Sequence, residues 1–438
     1  MLFYVIACQG NVSDSSEIVS IEPTDDVLSL EQSVVWQSLE SPYTTGAEWA
    51  DIDGDGLMDL VVSEGNDMAP GHIRVYYNRE GELEREASFE TDTIAYHGHL
   101  AIGDLNGDGW ADVASSIYLG EDRFDDPGGV AIFLNHEGQL SKTPDWKMDG
   151  FYSFSLALGD VDRDGDVDIA VAVGEVYTER TDTAFILCND GTADFSVCWE
   201  DETPRYSVDV ALVDLNRDQW LDLVFAHHGE GHSIWYGQPD LFSSSPDWQA
   251  QEDGFEGNTV DWGDINGDNS LDIVVSDNLQ LGGAGRVRAW CGPEFLLCWE
   301  SADPVAMQSA LALRDLDLDG DVDLVVGAWW GSVRVYEQDE YGLSTEPIFV
   351  SQEDDIVAEA FAWAPISNVR SETITGSGVL EIPDRRRVRR IVSGTFVEGY
   401  LFGENIEAEI FINHNMRLVL SDWEPVHGTW MFASEPME

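Results

Sequence analysis

Residues 51–59 read DIDGDGLMD, and four of the nine are aspartates: Asp51, Asp53, Asp55 and Asp59. Carboxylates this close repel one another and raise each other's pKa unless a cation sits among them. Positions 1, 3, 5 and 9 of the stretch offer side-chain oxygens, and position 7, Leu57, offers a backbone carbonyl. Glycine at position 6 permits the sharp turn that such a loop needs. Hard oxygen donors on a flexible loop suit Ca2+ better than Mg2+, which keeps more of its water.

The pattern recurs five times, at intervals of 53, 56, 54, 50 and 51 residues. DLNGDGWAD places Asp104, Asn106, Asp108, Trp110 and Asp112 at positions 1, 3, 5, 7 and 9. DVDRDGDVD places Asp160, Asp162, Asp164, Asp166 and Asp168 there. DLNRDQWLD supplies Asp214, Asn216, Asp218, Trp220 and Asp222. DINGDNSLD supplies Asp264, Asn266, Asp268, Ser270 and Asp272, and DLDLDGDVD supplies Asp315, Asp317, Asp319, Asp321 and Asp323. The set provides for up to six Ca2+ ions; the alternative is a series of solvated acidic turns. The first half of each loop matches an EF-hand, but position 12 is Val62, Ser115, Val171, Phe225, Val275 or Val326 instead of Glu. The aspartate at position 9 is therefore expected to act as the last ligand. Asn at position 3 lowers the ligand charge in three loops. The loop at 214 also has Gln219 where glycine is expected, so it should be the weakest site; Asn269 tolerates a left-handed backbone better.

The flanks that must position these loops also repeat. A short apolar strand precedes each one (GAEWA, LAIG, SLALG, DVALV, TVDWG, ALALR), and a Val/Ile/Leu-rich strand follows. A third alternating strand comes next (HIRVYYN, GVAIFLN, AFILCN, SIWYGQ, RVRAWC, SVRVYEQ), then a fourth that often carries Trp (PDWKM, VCWED, PDWQA, LCWES). Four antiparallel strands per unit of about fifty residues describe an all-β chain folded as a β-propeller; stacked solenoid repeats are the alternative, usually of shorter period. Six units carry the acidic loop. A seventh, degenerate blade is expected over about 350–438, from AEAFAWAPIS, EAEIFIN (407–413) and LVLSDWE (418–424). SVVWQS (33–38) resembles an outer Trp strand that closes the ring, and it competes with the C-terminal candidate for that place. Six blades with a C-terminal β-appendage is the second reading.

The loops with their strands resemble the FG-GAP repeat, also called the VCBS repeat, of integrin α-subunit propellers and many bacterial secreted proteins. The resemblance is clear over about 33–340 and weak beyond. It implies a calcium-binding propeller in which the metal pins the turn between the first and second strands of a blade.

Size and composition agree with a large folded ring. The chain has 438 residues and 43% hydrophobic content despite a net charge of −64. With 21 basic residues against 85 acidic ones, phosphates are repelled over most of the surface, which argues against nucleic acid as a partner. Cys188 and Cys198 flank one turn and Cys291 and Cys298 another, each between apolar runs. Both pairs are read as hairpin disulfides made in an oxidising compartment, the alternative being buried thiols. The chain opens MLFYVIACQG, in which Val5-Ile6-Ala7-Cys8 resembles a bacterial lipobox with Cys8 lipidated; the apolar stretch is short and no Lys or Arg precedes it. Residues 1–8 are then a lipoprotein-type signal, 9–32 an acidic tether and 33–438 the propeller, placed outside the cytoplasm on an outer membrane or cell surface. A chance cysteine is the plainer reading.

Loops at the ring end away from the acidic loops carry Tyr96, His97, Tyr118, Tyr152, Tyr177, Tyr206, His227, His228, Trp329 and Trp330. Such side chains stack on sugars or anchor a protein loop, or else pack between blades. His228-Gly-Glu-Gly-His232 has zincin-like spacing, but its glycines suit a loop and not a helix. The cluster DRRRVRR (384–390) is expected to dock on an acidic neighbouring surface, an anionic lipid head group or a polyanion, or else to form salt bridges within the chain. No nucleophile elbow, P-loop or Cys-X-X-Cys is present. The expected function is recognition or adhesion toward a protein or glycan. A polysaccharide lyase or hydrolase, or an envelope scaffold, is the alternative.

Overall fold

The second strand of most units is apolar on both faces. Asp59–Glu64, Asp168–Ala172, Asp222–His227 and Asp272–Asp277 are buried at every position. A strand of this kind needs cover on both sides, so each sheet must sit between two others. The computed structural model describes residues 3–7, 17–21, 33–39, 43–65, 67–250, 255–278, 285–302, 307–316, 319–339, 341–351, 356–363, 372–379, 390–397 and 400–402.

Six antiparallel sheets follow one another, each with its four main strands in chain order. Blade 1 is Thr44–Ala50, Asp59–Glu64, Ile73–Tyr76 and Phe89–Glu90. Blade 2 is Tyr96–Gly103, Asp112–Gly120, Arg123–Phe133 and Trp146–Asp149. Blade 3 is Ser155–Gly159, Asp168–Ala172, Phe185–Asn189 and Phe195–Glu200. Blade 4 is Ser207–Val213, Asp222–His227, Ser233–Trp235 and Trp248–Gln249. Blade 5 is Gly257–Gly263, Asp272–Asp277, Val287–Cys291 and Leu296–Glu300. Blade 6 is Gln308–Arg314, Asp323–Gly331, Arg334–Tyr336 and Phe349–Val350. The first strands of successive blades pack side by side, which makes them the inner wall of a six-blade propeller arrangement.

The core lies between blades. One cluster joins Val61 and Val75 of blade 1 to Val113 and Ala131 of blade 2. Others join blades 2 and 3 through Val130 and Val171, blades 3 and 4 through Ile186 and Phe225, blades 4 and 5 through Val224 and Val275, and blades 5 and 6 through Val274 and Val326. Polar stitches cross the same seams: Asp209 Oδ2 accepts the Val260 N–H and Asp261 Oδ2 accepts the Leu313 N–H, both at 2.8 Å.

The interval between blades 6 and 1 is filled by two stretches, one preceding blade 1 and one following blade 6. Ala358, Phe361 and Trp363 pack with Leu316 and Val325 of blade 6, while Ala360 and Ala362 pack with Trp49 and Leu60 of blade 1. Trp36, from the strand Ser33–Gln37, meets Tyr76 edge-on at 5.2 Å and donates Nε1–H to the carbonyls of Leu83 and Glu84 at 3.1 Å. The outer-strand Trp299 does the same across the seam to blade 6, meeting Tyr336 at 5.7 Å and donating to Leu343 O at 2.9 Å. The Trp36 side chain thus makes the contacts of an outer-strand Trp, whereas its strand, Ser33–Gln37, is bonded to Glu17–Ile21 instead of to a blade. Residues 358–363, expected within the first strand of a seventh blade, form no strand, and the strands expected at 407–413 and 418–424 lie outside the described residues.

Two further sheets are three-stranded: Phe3–Ala7, Glu17–Ile21 and Ser33–Gln37, and Glu372–Val379, Arg390–Val397 and Tyr400–Phe402. Residues 17–21, expected within an acidic tether, are therefore a strand. Their sequence, EIVSI, carries the β-branched residues that strands favour. Cys8 and residues 384–389 lie outside the described residues.

Both expected disulfides form, with Cα atoms 5.7 Å apart in each. They brace the third and fourth strands of blades 3 and 5. The second cysteine of each pair sits at a register shift, between Val197 and Trp199 or between Leu297 and Trp299.

Trp36→Ala is expected to lower stability by about 3–4 kcal/mol, as loss of a buried Trp does, whereas Leu39→Ala, at an exposed position, should leave it unchanged. Denaturant melts of the two variants check this.

Candidate metal centres

Each acidic loop joins the first strand of a blade to the second, so all six lie at one end of the ring. The aspartate at position 9 opens the second strand and is buried: Asp59, Asp112, Asp168, Asp222, Asp272 and Asp323. Its Oδ2 accepts the N–H of position 2 (Ile52, Leu105, Val161, Leu215, Ile265 or Leu316) at 2.8–3.0 Å. Its Oδ1 accepts the N–H of the residue that ends the third strand or begins its turn (Asn78, Asn135, Asn189, Gly237, Gly292 or Gln338) at 2.7–3.0 Å. One carboxylate thus clamps three segments of its blade.

The other acids shape the loop itself. Oδ2 of position 1 accepts the N–H of position 6 at 2.8–3.2 Å in all six loops. Oδ1 of position 5 accepts the N–H of position 7 at 2.7–2.9 Å. In the first five loops Oδ1 of position 3 accepts the N–H of position 5; Asp317 lies outside the described residues. Position 6 has positive φ throughout: Gly56 85°, Gly109 89°, Gly165 101°, Gln219 78°, Asn269 65° and Gly320 106°. The loop at 214 is the most strained, because Arg217 also sits at φ 60°.

These bonds draw carboxylates together. Oxygens of Asp51, Asp53 and Asp59 lie within 4.8 Å of one another, as do those of Asp160, Asp162 and Asp164. Asp160 Oδ1 is buried and accepts no hydrogen bond of standard geometry, a vacancy in bonding that a divalent cation fits. Cys188 also lies near Asp162 and Asp168, but its sulfur is committed to the disulfide. Burial raises the position-9 carboxyls, opposed by their two N–H bonds: Asp59 and Asp222 to about 7, Asp112, Asp168 and Asp272 to about 6.

Neighbouring loops are tied together in ways the loop spacing does not announce. Asn135 Nδ2 donates to Ile52 O of blade 1 at 2.8 Å, and Asn189 Nδ2 to Leu105 O of blade 2 at 2.7 Å. Trp110 of the second loop lies against Gly54 of the first, and Arg163 of the third sits over Trp220 of the fourth at 5.0 Å. The signal for the first tie is the Asn closing three third strands, HIRVYYN, GVAIFLN and AFILCN.

At the opposite end, the aromatic and His residues divide. His97, Tyr118, Tyr152 and His227 are buried. His97 bonds Ser115 and His227 bonds Ser207 and Ser233, while Tyr118 donates to Glu175 and Tyr152 to Phe124 O. Their place is in the packing: Tyr118 and His227 lie in second strands that are covered on both faces, and Tyr152 packs against Tyr118. Tyr96, Tyr206 and His228 are half-buried, His228 lying 2.8 Å from Glu256. His232 is enclosed by Phe255 and Trp290, so the two histidines of HGEGH do not share a site. Tyr177 and Trp330 are exposed, as is Met68, and Trp330 holds a positive φ of 50°. Trp329 is half-buried, its ring 6.5 Å from that of Trp330. Burial of its hydroxyl raises the pKa of Tyr177, and the charges of Asp67, Glu359 and Glu175 add to the rise. Burial pushes Glu359 up to about 8, against the pull of Trp329 and with a further push from Asp67. Asp67 and Glu359 come from far-separated stretches and carry no local motif.

A family profile described as FG-GAP-like repeat matches residues 51–115 and 214–275. Integrin alpha-3 of Cricetulus griseus is 32% identical over 121 residues, which is 24% of this chain and 12% of that protein. Integrin alpha-6 of Gallus gallus is 26% identical over 188 residues, 39% of this chain and 17% of that protein. The chain thus spans less than a fifth of the length of these curated relatives. Among solved structures, BBS1N in complex with ARL6DN aligns with a TM-score of 0.48 at 13% identity, covering 72% of this chain and 84% of that one.

The raised position-9 carboxyls set the sign of the pH dependence. The native state holds their protons more tightly than the unfolded chain, whose Asp pKa is about 3.9. Without metal, stability should therefore fall as pH rises from about 4 through 6–7 and level off above. Melts in chelator between pH 4.5 and 8 check this.

Proposed function

The chain is a β-propeller built of FG-GAP-like repeats, and from this we infer an extracytoplasmic recognition module that holds calcium at one end and meets a partner at the other. One observation carries the reading: all six acidic loops gather at the same end of the ring, which leaves the other end with exposed Tyr177, Trp330 and Met68 beside buried acids. The side chains at positions 1, 3, 5 and 9, with the carbonyl at 7, would hold the ion. Calcium supplies the positive charge these acids lack. The loops position the oxygens, and the position-9 aspartate transmits the hold to the second and third strands. The metal's role is structural.

The partner is a protein or glycan. Exposed aromatic faces stack on sugar rings or on apolar side chains, and the acids behind them favour a partner bearing positive charge. The overall charge of −64 disfavours nucleic acid. The two disulfides fit an oxidising compartment, and a lipid on Cys8 would place the module at an outer membrane or cell surface.

A second reading, cleavage of a polysaccharide, is favoured by Glu359: a carboxyl raised to about 8 near the ionisable Asp67 has the properties of a general acid with its base. On that reading wild-type protein releases reducing or unsaturated ends from an acidic or neutral polysaccharide, and Glu359→Gln loses at least about a hundredfold of the rate. Binding without turnover in both proteins rejects it.

The calcium reading is tested by thermal melts after chelation, with and without millimolar Ca2+. Each site held at ten times its Kd adds about 1.4 kcal/mol, so several sites should raise Tm clearly, with several equivalents bound. An unmoved melt with no ion bound would leave the loops as acidic turns.

A further inference from the structure

The first loop has a complete set of acids, Asp51, Asp53, Asp55 and Asp59, yet it is not left to an external cation alone. Arg79 follows Asn78, whose N–H is bound by Asp59 Oδ1 at 2.8 Å. Its Nη1 pairs with Asp53 Oδ2, its Nε lies 3.4 Å from Glu84 Oε1, and its guanidinium lies 4.6 Å over the Tyr77 ring. A planar cation held by two carboxylates and a ring is placed by three contacts, unlike a lone surface lysine. The carboxylate it takes is the position-3 ligand, one of the three whose oxygens converge within 4.8 Å.

The corresponding place differs in every other blade. Counting one residue beyond the amide that binds the position-9 aspartate gives Arg79, His136, Asp190, Gln238, Pro293 and Asp339 in blades 1 to 6. Only the first is a permanent cation. Blades 3 and 6, whose loops also have all four aspartates, carry a further acid there. Loops with the same ligand set therefore differ in the charge around it.

We propose that Arg79 is a built-in counter-ion of the first loop: it stabilises that loop without metal and competes with a metal ion for Asp53. The proposal rests on the calcium reading above. A guanidinium at Asp53 lowers the repulsion that otherwise opens the loop, and it repels an arriving divalent ion. The first site then fills last among the four-aspartate loops, and the blade beside the seam between blades 6 and 1 stays folded when calcium is scarce.

The test uses the full chain as wild type, Arg79→Gln and Arg79→Lys. Each is melted in chelator and in millimolar Ca2+, and Ca2+ binding to the metal-free protein is followed by calorimetry. Arg79→Gln should melt lower than wild type in chelator, show a larger rise on adding Ca2+, and bind one equivalent roughly tenfold tighter. Arg79→Lys, which keeps the charge but loses the fork and the plane, should fall between wild type and Arg79→Gln in both respects. An Arg79→Gln protein that melts like wild type in chelator, or gains no more from Ca2+, overturns the proposal. So does an Arg79→Lys protein that behaves like Arg79→Gln. These outcomes differ from failure of the calcium reading itself, in which wild type shows no Ca2+-dependent rise and binds no ion.

Discussion

The buried carboxylate that opens each second strand is the interaction on which the rest of the ring depends. It fixes where the acidic loop begins and how the third strand ends, through an N–H bond to each. Such a carboxylate carries a desolvation cost, visible in the upward shift of Asp59 and Asp222. The chain accepts that cost six times, once per blade. Because the clamp is backbone-directed, residues between its ends can vary: the loop at 214 keeps its bonds although Arg217 and Gln219 occupy positions where glycine is easier.

From that clamp the hierarchy runs outward. The second strand is placed, its two apolar faces become interblade seams, and the outer Trp residues cover the seams from the rim. Asn135 and Asn189 carry the order of one loop to the carbonyl of the loop before it. Loop geometry and blade packing are therefore one cooperative system. A metal bound at the loops acts on the seams through the position-9 carboxylate, without touching them.

Much of this was legible from residue spacing. The Asp positions gave the loops, the alternating flanks gave the strands, and the cysteine pairs gave the hairpins that they close. The likeness of SVVWQS to outer strands foretold the contacts of the Trp36 side chain but not the pairing of its strand with Glu17–Ile21. What stayed hidden has a common cause: it depends on residues distant in sequence. Glu359, Asp67 and Tyr177 meet only because the ring brings their loops together. Burial of His97 and His227 follows from strands that run further into the packed ring than their loop-end positions suggest. Strand propensity in EIVSI was outweighed in the reading by the acidic residues around it.

The junction between blades 6 and 1 has a mechanical consequence. Trp36, which precedes blade 1, and residues 358–363, which follow blade 6, meet at one hydrophobic cluster through Trp36 and Ala362. Tension applied between residues before 36 and residues after 363 loads that cluster first, as a peel along a single joint. The six complete sheets lie outside the direct line of force. Among the described residues this is the junction that such a pull would load, while the loops at the end of the ring keep their shape.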